Sequence, residues 1–300
     1  MLPVTKTKPS PCLLLVDGHA YAYRSFYAIR HLNAPDGTPT NAIFGFIKAI
    51  KKMRERCRPT HIVVMWDGGL DEMRMEELPD YKSNRDPMPD DLETQLDLIV
   101  EWLEATGIKS ICEEGREADD GIATLVRRAE NAGLPIVIAS ADKDFFQLIK
   151  PGIAMLNPND KTETLWTGSE VRAKTGVNPD QIVDWLSLVG DAVDEIPGVP
   201  GVGAKTAANL LNQFGSIESM YSQLDEIKSE RIKKLLVGMS DNLARNQRLV
   251  KLLEDLPIEC SIDDMLVGEE KHDLLEKLFT RWNFRTQLQE LESERQQKLI

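Results

Sequence analysis

Cysteine is scarce. The 300 residues include four (Cys12, Cys57, Cys112 and Cys260), and none belongs to a C-x-x-C pair. That spacing excludes a disulfide framework and a zinc site. Cys12 and Cys112 fall inside apolar runs, where a thiol acts as a small hydrophobe. Histidine is equally rare (His19, His31, His61 and His272), and no Ser-His-Asp or Cys-His arrangement emerges. No apolar stretch approaches the roughly 20 residues that cross a bilayer. Residues 1–11 contain Lys6 and Lys8 without an apolar centre, so they do not read as a secretory signal. With three prolines they are expected to form a disordered leader. The expectation is a reducing, cytoplasmic protein with no membrane contact.

Positive charge is also in deficit, with 36 Lys and Arg against 49 Asp and Glu, a net charge of −13. Taken alone this argues against nucleic acid. The distribution is uneven, however. Residues 1–60 hold ten Lys/Arg and three Asp/Glu, hence +7, which leaves −20 on the other 240. Such a chain can present a basic surface next to a cation-filled acidic pocket. An apolar content of 42% and a charged content of 28% are those of a globular protein. The length allows one large domain or two ordinary ones.

Against these absences stand repeated apolar runs. Leu13-Leu14-Leu15-Val16 suits a buried strand and ends at Asp17-Gly18; His61 to Trp66 is a second, ending at Asp67-Gly68. Ile108 to Cys112 precedes Glu117, and Leu134 to Ala139 precedes Asp142 and Asp144. Amphipathic stretches alternate with them: Tyr21 to Ile29, which carries Arg24, then Asn41 to Arg56, Asp91 to Thr106, and 117–132. Two short strands, near 153–156 and 163–166, read as a hairpin extending the sheet. This order predicts an α/β fold over residues 12–168, a central, mostly parallel sheet flanked by helices with right-handed crossovers. Residues 69–90 are polar and proline-rich and are expected to project from the core. From 169 to 285 the pattern is helical, with amphipathic runs at 224–237, 241–254 and 272–282; 286–300 reads as a polar tail or linker.

The acids carry the functional signal. In Arg116-Glu117-Ala118-Asp119-Asp120, three carboxylates share the first turn of a helix with no Lys partner in sequence. An acidic first turn is often no more than a complement to the helix dipole. Yet Asp17, Asp67, Glu117, Asp119, Asp120, Asp142, Asp144, Asp191 and Asp194 all stand at strand ends or loop starts, and strand ends in an α/β sheet share one edge. Nine acids brought together would repel one another unless cations neutralised them. Mg²⁺ suits such oxygen ligands, and two ions about 4 Å apart would activate a water and stabilise a leaving oxygen in phosphodiester hydrolysis.

Three further stretches bear on nucleic acid. Tyr81-Lys82-Ser83-Asn84-Arg85 combines an aromatic ring with two cations, suited to a stacked base and phosphates, although an exposed polar loop looks much the same. Lys48, Lys51, Lys52, Arg54 and Arg56 form a basic run that is either a solvated face or a backbone contact. Gly198-Val199-Pro200-Gly201-Val202-Gly203-Ala204-Lys205-Thr206 lacks the spacing of a Walker loop and follows a helix rather than a strand. It fits a helix-hairpin-helix, whose glycines let backbone N–H groups reach a phosphate at the next helix start.

Val16-Asp17-Gly18, Trp66-Asp67-Gly68, Tyr81 to Arg85, Glu117-Ala118-Asp119-Asp120, Ala141-Asp142-Lys143-Asp144, Gly190-Asp191-x-x-Asp194 and the glycine-rich hairpin occur in this order. Together they resemble the flap endonuclease (5′-nuclease) family over roughly residues 12–285. The resemblance implies a PIN-like 5′-nuclease core with a helical arch at 69–90, and a metal-dependent, structure-specific 5′→3′ exonuclease and flap endonuclease. It implies two or more Mg²⁺ held by the nine acids, with Mn²⁺ as a substitute. Lys82 and Arg85 would act on the scissile phosphate, and Tyr81 would stack near the terminal base. Arg24, Gly198, Gly201, Gly203, Lys205 and Thr206 would contact DNA bearing a 5′ flap, nick or free 5′ end. A monomer is expected, with a polymerase domain in the same or another chain as its companion. Three positions depart from the family pattern: Glu195 stands where Asn is usual, Trp66 where Phe is commoner, and Gly69-Leu70-Asp71-Glu72 is acidic where relatives often place a cation. The last is expected to weaken the grip on a flap. A junction-binding protein that does not cleave and an α/β phosphatase of small esters are the alternatives.

Overall fold

The structure, a computed structural model, describes residues 11–158, 162 and 164–298; all of the expected leader before Pro11 lies outside them. The apolar runs become strands β1 (Leu13–Asp17), β2 (His61–Trp66), β3 (Lys109–Cys112), β4 (Ile136–Ala139) and β5 (Ile153–Leu156), with a short β6 (Leu165–Trp166). They form one sheet in the order β3-β2-β1-β4-β5-β6, parallel except for β6. β1, β2 and β4 are buried along their whole length, which is why they carry uninterrupted aliphatic runs rather than alternation.

The period of two still divides the core. Leu13, Leu15, Val63, Met65, Ile136 and Ile138 face α5 (Ala118–Asn131) and the helical region. Leu14, Val16, Ile62, Val64, Val137 and Ala139 face α1 (Gly18–Ala28), α2 (Asn41–Cys57) and α4 (Asp90–Ala105). Because strands run parallel, their C-terminal ends open on a single edge, where the acids gather.

The segment between β2 and α4 differs from expectation. It contains α3 (Glu72–Glu77), and although Met73 and Met75 are exposed, Asp71, Arg74, Tyr81 and Lys82 are buried. The segment does not project; it folds inward over the acids. Asp71 caps α3 by accepting the Arg74 N–H at 3.1 Å and pairs with Arg116 at 2.7 Å. Of the acidic departure after Gly69, only Glu72 therefore remains on the surface.

The second region comprises α6 (Gly168–Thr175), α7 (Ile182–Val189), the small hairpin β7 (Gly190–Asp191) and β8 (Ile196–Pro197), α8 (Ala204–Phe214), α9 (Ile217–Ser222), α10 (Glu230–Val237), α11 (Ser240–Val250), α12 (His272–Arg281) and α13 (Arg285–Lys298). The helix expected to reach residue 254 stops at Val250. The chain beyond it becomes a strap along α5, held by one stripe of side chains at i, i+4 and i+8. Asp120 accepts the Leu253 N–H at 2.8 Å, Thr124 accepts the Leu256 N–H at 3.1 Å, and Arg128 donates to the carbonyls of Leu256, Ile258 and Cys260.

The polar tail is a docked helix. Leu291 of α13 is buried against the α2/α4 side, and Arg295 pairs with Glu276 and Asp273 of α12. Lys51 pairs with Glu290, and Arg54 with Glu270. Two members of the basic run on α2 thus pair with acids of the C-terminal segment while staying on the solvated face.

Candidate metal centre

Each acid is placed by a local device. Asp17 ends β1 and caps α1, accepting the Ala20 N–H at 3.0 Å on one oxygen and the Ser140 hydroxyl at 2.9 Å on the other. Beyond β2, Gly68 and the loop 113–116 continue the sheet: Gly68 donates to Arg116 and Gly115 to Gly68, both at 2.9 Å. A Cβ at Gly68 would lie 1.8 Å from the Glu113 carbonyl oxygen, so only glycine permits this approach. It brings Asp67 against the start of α5, where it accepts the Ala118 N–H at 2.8 Å. After β4, Asp142 caps a 3₁₀ turn through the Asp144 N–H at 2.9 Å. Asp191 and Asp194 arrive from the β7–β8 hairpin, with Asp191 accepting the Val193 N–H at 3.0 Å.

Burial and mutual repulsion act on these carboxyls together. Burial, then the charges of Asp67 and Asp142, push Asp17 up to about 6 despite the hydrogen bonds from Ala20 and Ser140. Asp119 is raised well above the carboxylate range by burial and by Asp142 and Asp17. Asp144 is raised by burial and by Asp142, Asp194 and Asp191, and Asp194 chiefly by burial. Two groups are thereby defined, one of Asp17, Asp67 and Asp119, the other of Asp144, Asp191 and Asp194, with Asp142 between them. The second group can bring one oxygen from each residue to within 4.8 Å of one another.

Two cations of the segment between β2 and α4 reach the acids. Lys82 Nζ lies 2.7 Å from Glu117 Oε2 and 3.9 Å from Asp194 Oδ2, and Arg85 is 3.5 Å from Asp194 Oδ1. Burial alone would depress the Lys82 ammonium, but Glu117, Asp194 and Asp119 hold it above its ordinary value. Its backbone is left-handed (φ 54°), and its N–H donates to the Asp194 carbonyl at 3.2 Å. Strain of this kind persists only where surrounding contacts over-determine it. Glu195, the departure from the usual Asn, is also left-handed (φ 59°), a conformation in which Asn is favoured and Glu is not.

Asp120 and Tyr81 stand apart from what the spacing suggests. Asp120 is fully buried, held by the Arg74 guanidinium at 2.7 and 2.8 Å and by the Leu253 N–H, and it shares Arg74 Nη1 with Glu117 Oε2, 3.2 Å away. Both oxygens are engaged, so Asp120 anchors the arch segment and is not placed as a ligand. The acids of the α5 turn do have cationic partners, supplied from residues 74 and 82. The Tyr81 ring is buried and its hydroxyl donates to Glu117 at 3.2 Å, so in this state it packs under Glu117 and offers no face to a base. His19, which the strand-end pattern does not mark, accepts the Asp67 N–H on Nδ1 at 3.1 Å. Nδ1 accepts that N–H and so carries no proton there, burial lowers the affinity of the ring for a second proton, and the same nitrogen lies 3.4 Å from Asp67 Oδ2.

The donors fit hard divalent cations. All are carboxylate oxygens, and two of the buried ones, Glu117 Oε1 and Asp144 Oδ1, have no hydrogen-bond partner. The glycine-rich turn lies on the surface, with Gly201, Gly203 and Lys205 exposed and Thr206 half-buried; Arg24 is exposed on α1. Gly201 is left-handed (φ 79°), and Gly203 precedes α8 as an N-cap that supplies no side-chain hydrogen bond. An added Cβ at Gly201 would lie 3.1 Å from Arg231 Nη2, so a further cation adjoins this turn that no sequence spacing indicates.

Fold and site together define an α/β enzyme with a multi-carboxylate centre at the sheet edge and a helical companion region. Two family models match, the 5′-3′ exonuclease N-terminal resolvase-like domain over residues 12–176 and the 5′-3′ exonuclease C-terminal SAM fold over 177–273. The chain belongs to the 5′-3′ exonuclease family. It is 38% identical over 283 residues to a 5′-3′ exonuclease of Aquifex aeolicus, covering 93% of this chain and 95% of the relative. It is 37% identical over 290 residues to DNA polymerase I of Bacillus caldotenax, covering 94% of this chain and 32% of that protein. The chain thus spans about a third of the length of its DNA polymerase I relatives. Among solved structures, the T5 D15 protein co-crystallised with metal ions superposes with a TM-score of 0.65 at 21% identity over 94% of this chain and 97% of that one. The catalytic core of Rad2 in complex with DNA substrate gives 0.61 at 18% over 97% and 93%. Both establish a shared fold.

Proposed function

We propose that this protein is a Mg²⁺-dependent, structure-specific 5′ nuclease that hydrolyses phosphodiester bonds in flapped, nicked or 5′-ended duplex DNA, as in primer removal and repair. One observation carries the proposal. Carboxylates from five separate segments (Asp17, Asp67, Glu117 with Asp119, Asp142 with Asp144, and Asp191 with Asp194) gather beyond the strand ends, with Glu117 Oε1 and Asp144 Oδ1 buried and without a hydrogen-bond partner. Two or more ions bound there would neutralise a phosphodiester, lower the pKa of a water and stabilise the leaving oxygen; Mn²⁺ has the same oxygen preference.

The protein groups then divide the task. Lys82 and Arg85 hold the scissile phosphate, donating to oxygens that gain charge in the transition state. Glu117 orients the Lys82 ammonium, and His19 holds the Asp67 backbone through its N–H. Gly198, Gly201, Gly203, Lys205 and Thr206 at the start of α8 grip duplex phosphates, and Arg24 a phosphate nearer the cut. These contacts read backbone rather than bases, so binding is independent of sequence and falls with salt. The role in the cell is that of a cytoplasmic monomer whose companion is a polymerase domain, which the length of the DNA polymerase I relatives supports.

The test is cleavage of a 5′-labelled flap duplex in Mg²⁺, then in excess chelator. Short products released near the junction and lost with chelator are expected. Intact flap in both Mg²⁺ and Mn²⁺, with duplex binding retained, would refute the nuclease reading.

A further inference from the structure

Asp191 has little freedom at the metal centre. It is 6% exposed, and its Oδ1 accepts the Val193 N–H at 3.0 Å in the β7–β8 turn. That leaves Oδ2 as the oxygen available to a cation shared with Asp144 and Asp194. The same Oδ2 lies 2.9 Å from Lys143 Nζ. Lys143 is the residue between Asp142 and Asp144, and the assigned steps of hydrolysis do not use it. Its side chain is 37% exposed, so the ammonium has a route to water. The neighbouring Asp144 keeps its Oδ1 buried and without any partner. The group is therefore arranged around an absent charge, and one of its three oxygens is already covered by a cation from the chain.

We propose that Lys143 is an internal counter-ion of the Asp144–Asp191–Asp194 group. Its ammonium neutralises Asp191 in the metal-free protein, competes with a divalent ion for Oδ2, and swings to solvent when that ion binds. The inference rests on the metal reading above and assigns to this residue the setting of the site's divalent affinity. Lys82 and Arg85 also contact acids of the centre, but they belong to the arch segment and can move with it. Lys143 is fixed to the 3₁₀ turn whose cap is Asp142, so only its side chain can yield. Tighter binding to the group would follow from removing it, because the bare site loses a stabilising charge and the filled site loses a repelling one.

The experiment is calorimetric titration of Mn²⁺ into the DNA-free protein, backed by Mn²⁺-dependent thermal unfolding. Lys143→Met is expected to bind Mn²⁺ between about three- and tenfold tighter, the range of a partly buried charge pair. Its metal-free Tm should be lower and its Mn²⁺-induced rise larger than in the parent. Lys143→Arg retains the charge and should bind like the parent. In an Asp191→Asn background, Lys143→Met should no longer tighten binding, because the shared oxygen has lost its charge. Unchanged or weaker Mn²⁺ binding by Lys143→Met, with the parent binding normally, overturns the counter-ion role alone. No Mn²⁺ binding by the parent overturns the metal reading, and this inference with it.

Discussion

The sheet edge and the arch segment hold their charges by different means. At the edge, carboxylates are oriented by short-range backbone donors: Ala20 for Asp17, Asp144 for Asp142, Val193 for Asp191. The strands they follow are buried, and nothing needs to move for the acids to converge. The arch segment at 69–90 is fastened chiefly by ion pairs to residues 116–120: Asp71 to Arg116, Arg74 to Asp120, Lys82 to Glu117. A preformed edge and an electrostatically held arch suit the metal centre proposed above. Ions bound at Glu117 and Asp194 would act on the very groups that restrain Lys82 and Arg85. The backbone of the arch would thereby respond to the contents of the centre, whereas at the edge only side chains such as Lys143 would.

The largest effect that would sharpen this contrast comes from Arg74. Arg74→Ala leaves the fully buried Asp120 charge unpaired and should destabilise the protein by about 3–5 kcal/mol, read by urea unfolding. It should also open residues 69–90 to proteolytic nicking before the sheet unfolds. A loss below about 1 kcal/mol would mean that the arch is not held by this pair. Next in size, Asp119→Ala or Asp142→Ala should lower turnover by about a thousandfold, since each removes charge from the ion-binding edge, while far-ultraviolet dichroism stays unchanged. Unaltered turnover in either variant would break the assignment of the edge as the metal centre. The smallest effect belongs far from both. Lys205→Ala should weaken duplex binding uniformly across sequences and reduce the salt slope by about one, with cleavage under saturating DNA preserved. A selective loss for particular sequences would contradict a backbone contact there.

Much of the edge was legible in the chain. β1, β2 and β4 announce themselves as buried aliphatic runs, and an acid shortly after each needs only the parallel rule to be placed. Asp120 was not separable from Asp119 by spacing, because both fall in one acidic turn. What separates them is Arg74, 46 residues earlier, reaching across to one and not the other. Tyr81 reads as an exposed stacking ring beside two cations; its burial under Glu117 depends on the arch folding inward. The strap after Val250 continues an amphipathic pattern and would pass for helix, but Asp120, Thr124 and Arg128 offer its backbone a different set of partners. The tail at 286–300 looks polar throughout, yet Leu291 and the Lys51–Glu290 pair are enough to seat it.

By itself, then, the sequence determined the α/β order, the sheet edge on which acids would meet, and a glycine-rich helix start exposed to solvent. Those follow from local hydrophobicity, period and turn chemistry, which act within a few residues. Only the tertiary structure decided which acids face a cation site and which face a guanidinium, that the arch lies inward, and that Lys143 covers the free oxygen of Asp191. Charges pair according to distance in space, and the partners of these acids are separated from them in the chain by 35 to 48 residues. No pattern confined to neighbouring positions records such a pairing.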